Sequence, residues 1–283
     1  MPSFETPEPV SAIARVDAGS IRFTASGRGD SVVDVRPRDP KKDQDVRTAE
    51  QTEVSYADGK LDIRTPKLRY PFGRTGTVDV VVDLPEDSSV EVTGSWAEVR
   101  GDGRLGAVRV NTSSGDVRLA TTGPLHLTAS HGSISVDRVM GSAEIVTSSG
   151  SMRVGTVEGA AVLKNSHGTT IIGHVVGDLQ VKGANGDIIV DRADGSVAAT
   201  TAHGALRLAE VTRGSVQLET SYGSIEVGVR AGTAAWLDVS SSAGRVHNSL
   251  TVSDSAGDSK DTVEVRARTR YGNIDIRRAD PRA

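Results

Sequence analysis

Histidine recurs before glycine at a fixed spacing in this chain of 283 residues. His131, His167 and His203 each stand directly before a glycine, two 18-residue periods apart. An imidazole side chain changes its charge near neutral pH, can bind a metal ion, and can donate a hydrogen bond to a ligand or accept one from it. These histidines therefore predict a candidate binding stripe. The same position in the intervening periods is held by Ser149, Asn185 and Tyr222, which complete the predicted stripe.

The spacing within this stripe argues against a metal or cofactor site. Residues two turns apart in a stacked β structure are separated by about 9.6 Å, whereas a Zn–N bond measures about 2.0 Å. Two interpretations stay open: a polar ladder whose side chains hydrogen-bond along the fold, and a stripe that binds a ligand or responds to acid. We expect no bound metal and no cofactor in either case.

Other chemical motifs in the sequence are incomplete. The glycines at 101, 103 and 106 have the spacing of a dinucleotide-binding loop, but a strand pattern follows them where that loop requires a helix. Asp116, Asp178 and Asp187 do not recur at one position, as the carboxylates of a calcium-binding β-roll do. The chain has neither a Gly-x-Ser-x-Gly elbow nor a Gly-Lys-Ser/Thr phosphate loop. The sequence therefore predicts a protein that is not an enzyme.

The elements that position the stripe follow from the glycines. A series of glycines between Gly106 and Gly232 is spaced by eight to ten residues, most often by nine, and alternate members have different flanking sequences. Apolar residues stand two and four positions after these glycines, as Ile134 and Val136 do after Gly132. This alternation is typical of a strand with one buried face. Two short strands in each 18-residue period, stacked turn on turn, predict an all-β fold, a β-solenoid with a continuous aliphatic core.

The two ends of the chain depart from this regular pattern. The pattern of residues 1–89 predicts atypical β turns that are continuous with the solenoid and cap its end. It also predicts one short helix around 43–50. Regular repeats occupy residues 90–283, interrupted by a polar insertion at 251–261. End turns must differ from internal turns, because an open end exposes unpaired backbone groups. We therefore predict one domain overall, with atypical capping turns at both ends.

The amino-acid composition limits which binding partners and which cellular compartment are expected for the protein. The 33 basic and 37 acidic residues give a net charge of −4, which provides no basic surface for nucleic acid. The chain has no cysteine, which excludes disulfides and thiolate metal sites. No apolar run is long enough to span a bilayer, and residues 1–9 lack the features of a signal peptide. We therefore expect a cytoplasmic protein without a transmembrane segment and without a nucleic-acid partner.

The repeated pattern resembles that of a known family. Runs such as Thr147-Ser148-Ser149-Gly150-Ser151, together with the segment Val-Glu-Val-Arg-Ala-Arg-Thr-Arg-Tyr-Gly-Asn-Ile at 263–274, resemble the bacterial DUF4097 family of putative adhesins with β-strand repeats. Residues 6–9 and 233–240 resemble its actinobacterial branch. The resemblance covers essentially the whole chain. It implies a right-handed parallel β-solenoid, and it supplies no catalytic residues.

Function is less constrained by the sequence than fold. The observations favour a non-enzymatic scaffold that presents a repetitive Ser/Thr/His-lined surface to a protein or cell-envelope partner, as a monomer or with weak self-association. Two alternatives stay open. One is a cytoplasmic structural polymer of the bactofilin-like type, in which solenoids stack end to end. The other is a carbohydrate-active β-helix enzyme, which requires paired acidic side chains in a cleft.

Overall fold

The computed structural model describes residues 1–66, 76–250 and 261–280, which form two compact units, Met1–Met140 and Gly141–Ala283. Strands dominate both units. The helix in the described residues is α1 (Asp43–Glu50), at the position that the sequence predicts, and no helix there is long and apolar enough to cross a membrane. The all-β prediction is therefore confirmed. The predicted polar insertion at 251–261 lies outside the described residues, except for Asp261.

The first unit contains twelve strands among its described residues. Their lengths range from three residues in the first to seventeen in the eighth. In chain order the strands are β1 (Ser3–Glu5), β2 (Ser11–Arg15), β3 (Ala18–Ser26), β4 (Asp30–Pro37), β5 (Glu53–Ala57), β6 (Lys60–Arg64), β7 (Val78–Pro85), β8 (Ser89–Leu105), β9 (Val108–Ser114), β10 (Val117–Thr122), β11 (Leu125–His131) and β12 (Ile134–Val139).

The second unit contains fourteen strands in the parts that the structure describes, and most of them have six or seven residues. In chain order the strands are β13 (Ala143–Ser149), β14 (Met152–Val157), β15 (Ala161–His167), β16 (Thr170–Val175), β17 (Leu179–Asn185), β18 (Ile188–Ala193), β19 (Val197–His203), β20 (Leu206–Val211), β21 (Gly214–Tyr222), β22 (Ile225–Val229), β23 (Thr233–Ala243), β24 (Val246–Asn248), β25 (Asp261–Tyr271) and β26 (Ile274–Arg278).

Successive turns of the second unit pair in parallel and in register. β13, β15, β17, β19 and β21 form one column of strands, and β14, β16, β18, β20 and β22 form another. In the first column, Ile145, Leu163 and Val181 occupy adjacent register positions, and all three are buried. Such aliphatic columns form the core, because the inward face of each strand meets the same face of the next turn. The predicted parallel β-solenoid with two strands in each turn is confirmed.

In both units the terminal segment of the chain lies one turn inside the end of its stack. β25 pairs with β21 on one side and with β23 on the other, and β26 lies in the same way between β22 and β24. In the first unit, β2 lies between β6 and β8, and β3 lies between β7 and β8. Outside these segments, β6 and β7 in the first unit and β23 and β24 in the second come from internal parts of the chain. The glycine spacing does not predict this order of strands.

The outer elements of the first unit differ from the internal turns in length and direction. β1 pairs antiparallel with β4, and β5 pairs antiparallel with β6. The helix α1 packs near β4 and β7, where the buried Asp45 carboxylate accepts hydrogen bonds from the backbone N–H groups of Thr77 (2.9 Å) and Asp39 (3.2 Å). Short antiparallel strands and a helix leave little regular edge for a further strand to join.

Glycine is required where one turn passes closest to the next. Gly186 has φ +142°, and a Cβ at this position would lie 2.2 Å from the carbonyl oxygen of Gly168 in the neighbouring turn. Gly204 has φ +150°, and its Cβ would lie 2.1 Å from the carbonyl oxygen of Gly186. Both the backbone conformation and the close approach exclude a side chain. Six glycines with positive φ share this corner position in the second unit: Gly150, Gly168, Gly186, Gly204, Gly223 and Gly272.

Replacing a corner glycine tests this requirement. Gly186→Ala is expected to lower the free energy of unfolding by about 3 kcal/mol, because it adds backbone strain and a collision with Gly168. Urea unfolding followed by circular dichroism measures the change. Gly29→Ala is the control, because Gly29 has no positive φ and a Cβ there meets no atom within 4 Å. We expect the control to change stability by less than about 0.5 kcal/mol; equal losses in the two variants would contradict the assignment.

Candidate functional site

The structure brings most of the predicted stripe together at one corner of the second unit. Pairing joins Ser149 to His167, His167 to Asn185, Asn185 to His203 and His203 to Tyr222, so that each residue lies one turn from the next. The next register position after Tyr222 is held by a residue outside the predicted stripe, Tyr271. We call this row the corner ladder; its members are Ser149, His167, Asn185, His203, Tyr222 and Tyr271.

His131, the remaining residue of the predicted stripe, belongs to the first unit. It ends β11 and pairs with Ser114, which in turn pairs with Trp96 of β8. These three residues form the equivalent corner row of the first unit. Trp96 is largely exposed. This row therefore also contains an exposed aromatic residue, as the corner ladder does.

Three rings of the corner ladder stack on one another. The ring centroids of His203 and Tyr222 are 5.0 Å apart with planes 2° from parallel, and those of Tyr222 and Tyr271 are 4.9 Å apart with planes 6° from parallel. Tyr222 is 50% exposed and Tyr271 is 54% exposed. Stacking of this kind contributes roughly 0.5–1.5 kcal/mol for each pair. The ladder is therefore an ordered aromatic surface that remains open to a partner.

Buried threonine hydroxyl groups lie beneath the two tyrosine corners of the ladder. The hydroxyls of Thr220 and Thr269 donate to the carbonyl oxygens of Gly204 (3.1 Å) and Gly223 (3.0 Å) in the preceding turn. Both threonines are buried, two residues before the ladder tyrosine of the same turn. Each hydroxyl thus connects one corner to the corner beneath it. This contact holds the two tyrosine corners at the spacing of the backbone.

The polar members of the ladder show one hydrogen bond along the fold. Nδ1 of His167 lies 3.3 Å from the backbone carbonyl oxygen of Ser148 in the neighbouring turn, so this nitrogen donates. The described residues contain no group of three or more His, Cys, Asp or Glu side chains placed to hold a metal ion. Within the described residues, the ladder has the geometry of a contact surface. The outer edges of its side chains carry groups that can form hydrogen bonds.

A second surface feature of the second unit is an open groove of about 540 Å³. Gly155, Gly173 and Ala209 line it with little or no side chain, which leaves space between the longer side chains of His174 and Glu210. We call this feature the glycine groove. The sequence analysis missed it, because its lining residues come from bends in several turns and carry isolated charges in the sequence.

The polar groups beside the glycine groove bind one another. Nε2 of His174 donates to the carboxylate of Asp194 at 2.8 Å, and Nε of Arg192 and the hydroxyl of Thr212 donate to it at 2.9 and 3.2 Å. Partial burial acts to raise the pKa of Asp194, but the hydrogen bonds from His174 and Arg192 outweigh it and hold the pKa below its usual value. Both oxygens of this carboxylate are therefore occupied.

Glu210, one of the acidic side chains that line the groove, is similarly placed among cations. A carboxylate oxygen of Glu210 lies 3.9 Å from Nε of Arg192 and 4.0 Å from Nε of Arg230. Arg277 at the groove margin forms an ion pair with Asp280 at 2.6 Å. The contacts of Glu210 connect it to cations from neighbouring turns.

Comparison with solved structures finds chains that are similar to this one but have low sequence identity to it. A putative adhesin from Bacteroides fragilis is 12% identical, with a TM-score of 0.39 and 97% of this chain and 95% of that chain covered. A putative adhesin from Parabacteroides merdae is 11% identical, with a TM-score of 0.30 and coverage of 97% and 94%. A putative cell adhesion protein from Clostridium sporogenes is 11% identical, with a TM-score of 0.22 and 98% of both chains covered.

Comparison of the sequence with family models identifies the family of the chain. No curated protein sequence matches the chain. The family model described as Toastrack DUF4097, however, matches residues 15–280. This match covers most of both compact units and includes the corner ladder and the glycine groove. The predicted resemblance is therefore confirmed, and the protein belongs to the Toastrack DUF4097 family.

Proposed function

We propose that the protein is a non-enzymatic binding scaffold that presents the corner ladder to a protein or cell-envelope partner. The observation that carries this proposal is the exposed stack of His203, Tyr222 and Tyr271 in consecutive turns. Adhesion, the activity in the names of the matching structures, belongs to the same class of function. The proposal for this chain rests on its own ladder.

The distribution of aromatic residues favours a binding role for the ladder. The chain has only four tyrosines, and two of them occupy adjacent, half-exposed positions in this row. Tyrosine is enriched at the energetic centres of protein interfaces, because it offers a large, rigid contact area together with a hydroxyl group. Two such side chains on neighbouring strands are therefore a natural anchor point for a partner.

The spacing of the ladder indicates the shape of that partner. Phenol and imidazole groups recur at the strand separation of about 4.8 Å, so hydrogen-bonding groups lie along a straight line. A linear array of this kind matches an extended polymer, such as a polypeptide segment or a glycan strand, better than a compact small molecule. Stacking and the threonine contacts hold the side chains in place before binding, which lowers the entropic cost of association.

Truncation of the tyrosines tests the ladder as a binding surface. The double variant Tyr222→Ala/Tyr271→Ala is expected to reduce capture of partners from extracts of the native cell by about tenfold or more, because it removes both anchor rings. Mass spectrometry of the captured material and a binding titration with the principal component measure the loss. Circular dichroism should be unchanged, since both side chains are exposed.

A matched control locates the effect on the ladder. Val176→Ala alters an exposed apolar side chain of the same unit outside the ladder, and we expect it to retain capture. A photo-crosslinking amino acid at position 271 should label the same component, whereas one at position 176 should not. Equal capture by the wild type and the double variant would refute the proposal.

The paired charges beside the glycine groove support a structural role for that region. Asp194→Asn is expected to lower the free energy of unfolding at pH 7 by about 1–2 kcal/mol, since it weakens hydrogen bonds from His174 and Arg192. Because folding lowers the pKa of Asp194, this contribution is fully present above the pKa of an aspartate in the unfolded chain, about 3.9. It is lost as the pH falls through the folded value.

Urea titrations of the wild type and Asp194→Asn, made at neutral pH and in acid, measure this dependence. The difference between the two proteins should shrink below about pH 4, as the carboxylate of the wild type is protonated. Asp178→Asn is a control with another carboxylate of the same unit, which accepts a single backbone hydrogen bond from Ser196 in an exposed setting. A loss for Asp194→Asn that is independent of pH would contradict the assigned ion pairing.

A further inference from the structure

The outermost strand of the second unit is long and open on one side. β23 has eleven residues and pairs in parallel with β25, from Thr233 opposite Asp261 to Ala243 opposite Tyr271. Among the residues that the structure describes, β25 is the only strand that pairs with β23. A row of backbone N–H and C=O groups therefore remains unpaired along the other edge of β23 within this part of the chain.

The inward side chains of β23 are also incompletely covered. Ala235, Leu237 and Val239 point to the same side as the core residues of β25 but are only half-buried. Their register partners on β25 are the fully buried residues Val263, Val265 and Ala267. The contrast shows that the aliphatic core is closed over β25 and open over β23. Trp236, on the opposite face of β23, is 70% exposed.

β23 lacks the features that protect exposed edge strands from pairing. Its single charged residue, Asp238, is bound to Arg268 at 3.3 Å, and the strand contains no lysine and no proline. Its register with β25 is unbroken from residue 233 to residue 241. The outer strands β1 and β5 of the first unit have three and five residues and pair antiparallel. A long and nearly uncharged edge of this kind favours addition of another strand.

We propose that β23 pairs antiparallel with β23 of a second copy of this chain, forming a two-fold dimer centred on Leu237. The backbone directions determine which residues meet. The N–H of Gly272 donates to the carbonyl oxygen of Ala243 at 3.3 Å, so residues in phase with Ala243 direct their backbone groups at β25. The alternate residues, Trp236 and Asp238 among them, direct theirs at the open edge.

Charge and apolar matching select the register. With the axis at Leu237, this side chain meets its own copy, Ala235 meets Val239 of the second copy, and Trp236 lies opposite Asp238. An axis at Asp238 would set two carboxylates against each other, which is unfavourable for directly opposed residues. An axis at Val239 would set Leu237 against Ser241, an apolar residue against a polar one. The first register pairs residues 233–241 and joins the two open cores.

A second copy is the occupant that these features favour over a filament or an unrelated protein. A head-to-tail filament requires a matching long edge, whereas β1 and β5 of the first unit are short and antiparallel. The two-fold arrangement uses one edge in both copies and closes on itself. It also places the half-buried inward side chains of β23 beside the apolar inward side chains of the second copy.

Solution mass tests the dimer directly. We expect sedimentation velocity and light scattering to give twice the chain mass of 29.6 kDa at micromolar concentrations. Leu237→Lys should yield the monomer with unchanged circular dichroism, because a charge on this face cannot be buried against its own copy. Gln180→Lys adds the same charge to an exposed position on an internal strand and should remain dimeric. A wild type of 29.6 kDa throughout, or a dimer unaffected by Leu237→Lys, would overturn the proposal.

A cysteine cross-link tests the register without placing a charge in the core. The chain has no cysteine, so a single introduced thiol gives an unambiguous product. Residues 237 of the two copies form a non-hydrogen-bonded pair with Cα atoms about 4.5 Å apart, within the range of a disulfide. Leu237→Cys should form a covalent dimer on oxidation, whereas Gln180→Cys should remain monomeric on a non-reducing gel. Failure of Leu237→Cys to cross-link, or equal cross-linking of both, would overturn this register.

Discussion

Parallel, in-register hydrogen bonding between successive turns is the constraint on which the rest of the structure depends. It places each residue beside its counterpart in the next turn, so a column of residues, and not a single side chain, is the unit that packs or binds. Ile145, Leu163 and Val181 show this in the core, where one aliphatic column is built from three turns. The corner glycines show it in the backbone: a Cβ on Gly186 would strike Gly168, so the requirement passes from turn to turn.

The same constraint produces the corner ladder. The separation of hydrogen-bonded strands, about 4.8 Å, is close to the distance at which aromatic rings stack. Rings at one register position are therefore brought into stacking contact by the backbone, as the centroid distances of 5.0 and 4.9 Å along His203, Tyr222 and Tyr271 show. The sheet positions the rings, and the rings in turn add contacts between turns. Their outer edges stay free because the corner faces solvent, so order and exposure occur together at this site.

The sequence predicts those features that recur with the period and misses those that interrupt it. The strand alternation, the helix at 43–50 and five neighbouring members of the ladder follow from spacing alone. Tyr271 also stands directly before a glycine, but the spacing does not place it in the stripe, because β23, β24 and the insertion at 251–261 separate it from Tyr222 in the sequence. The position of β25 between β21 and β23 was missed for a different reason: spacing records distance along the chain, whereas this pairing is not sequential. The Asp194 cluster combines side chains from different turns, which appear in the sequence as separate charges.

A stack of turns has two kinds of surface, and each supports a different kind of recognition. Along its side, columns of side chains such as the corner ladder repeat at the strand spacing and contact a partner across many strands. At its end, a strand such as β23 offers backbone groups along a single strand, which only another strand can satisfy. Pairing through β23 would leave the ladder uncovered, because ladder side chains project from the corners and the edge lies in the plane of the sheet. A dimer formed in this way would carry two ladders, and a partner with repeated binding segments would engage both. Avidity then raises the strength of binding without any new contact at either ladder, provided that the partner spans the two sites.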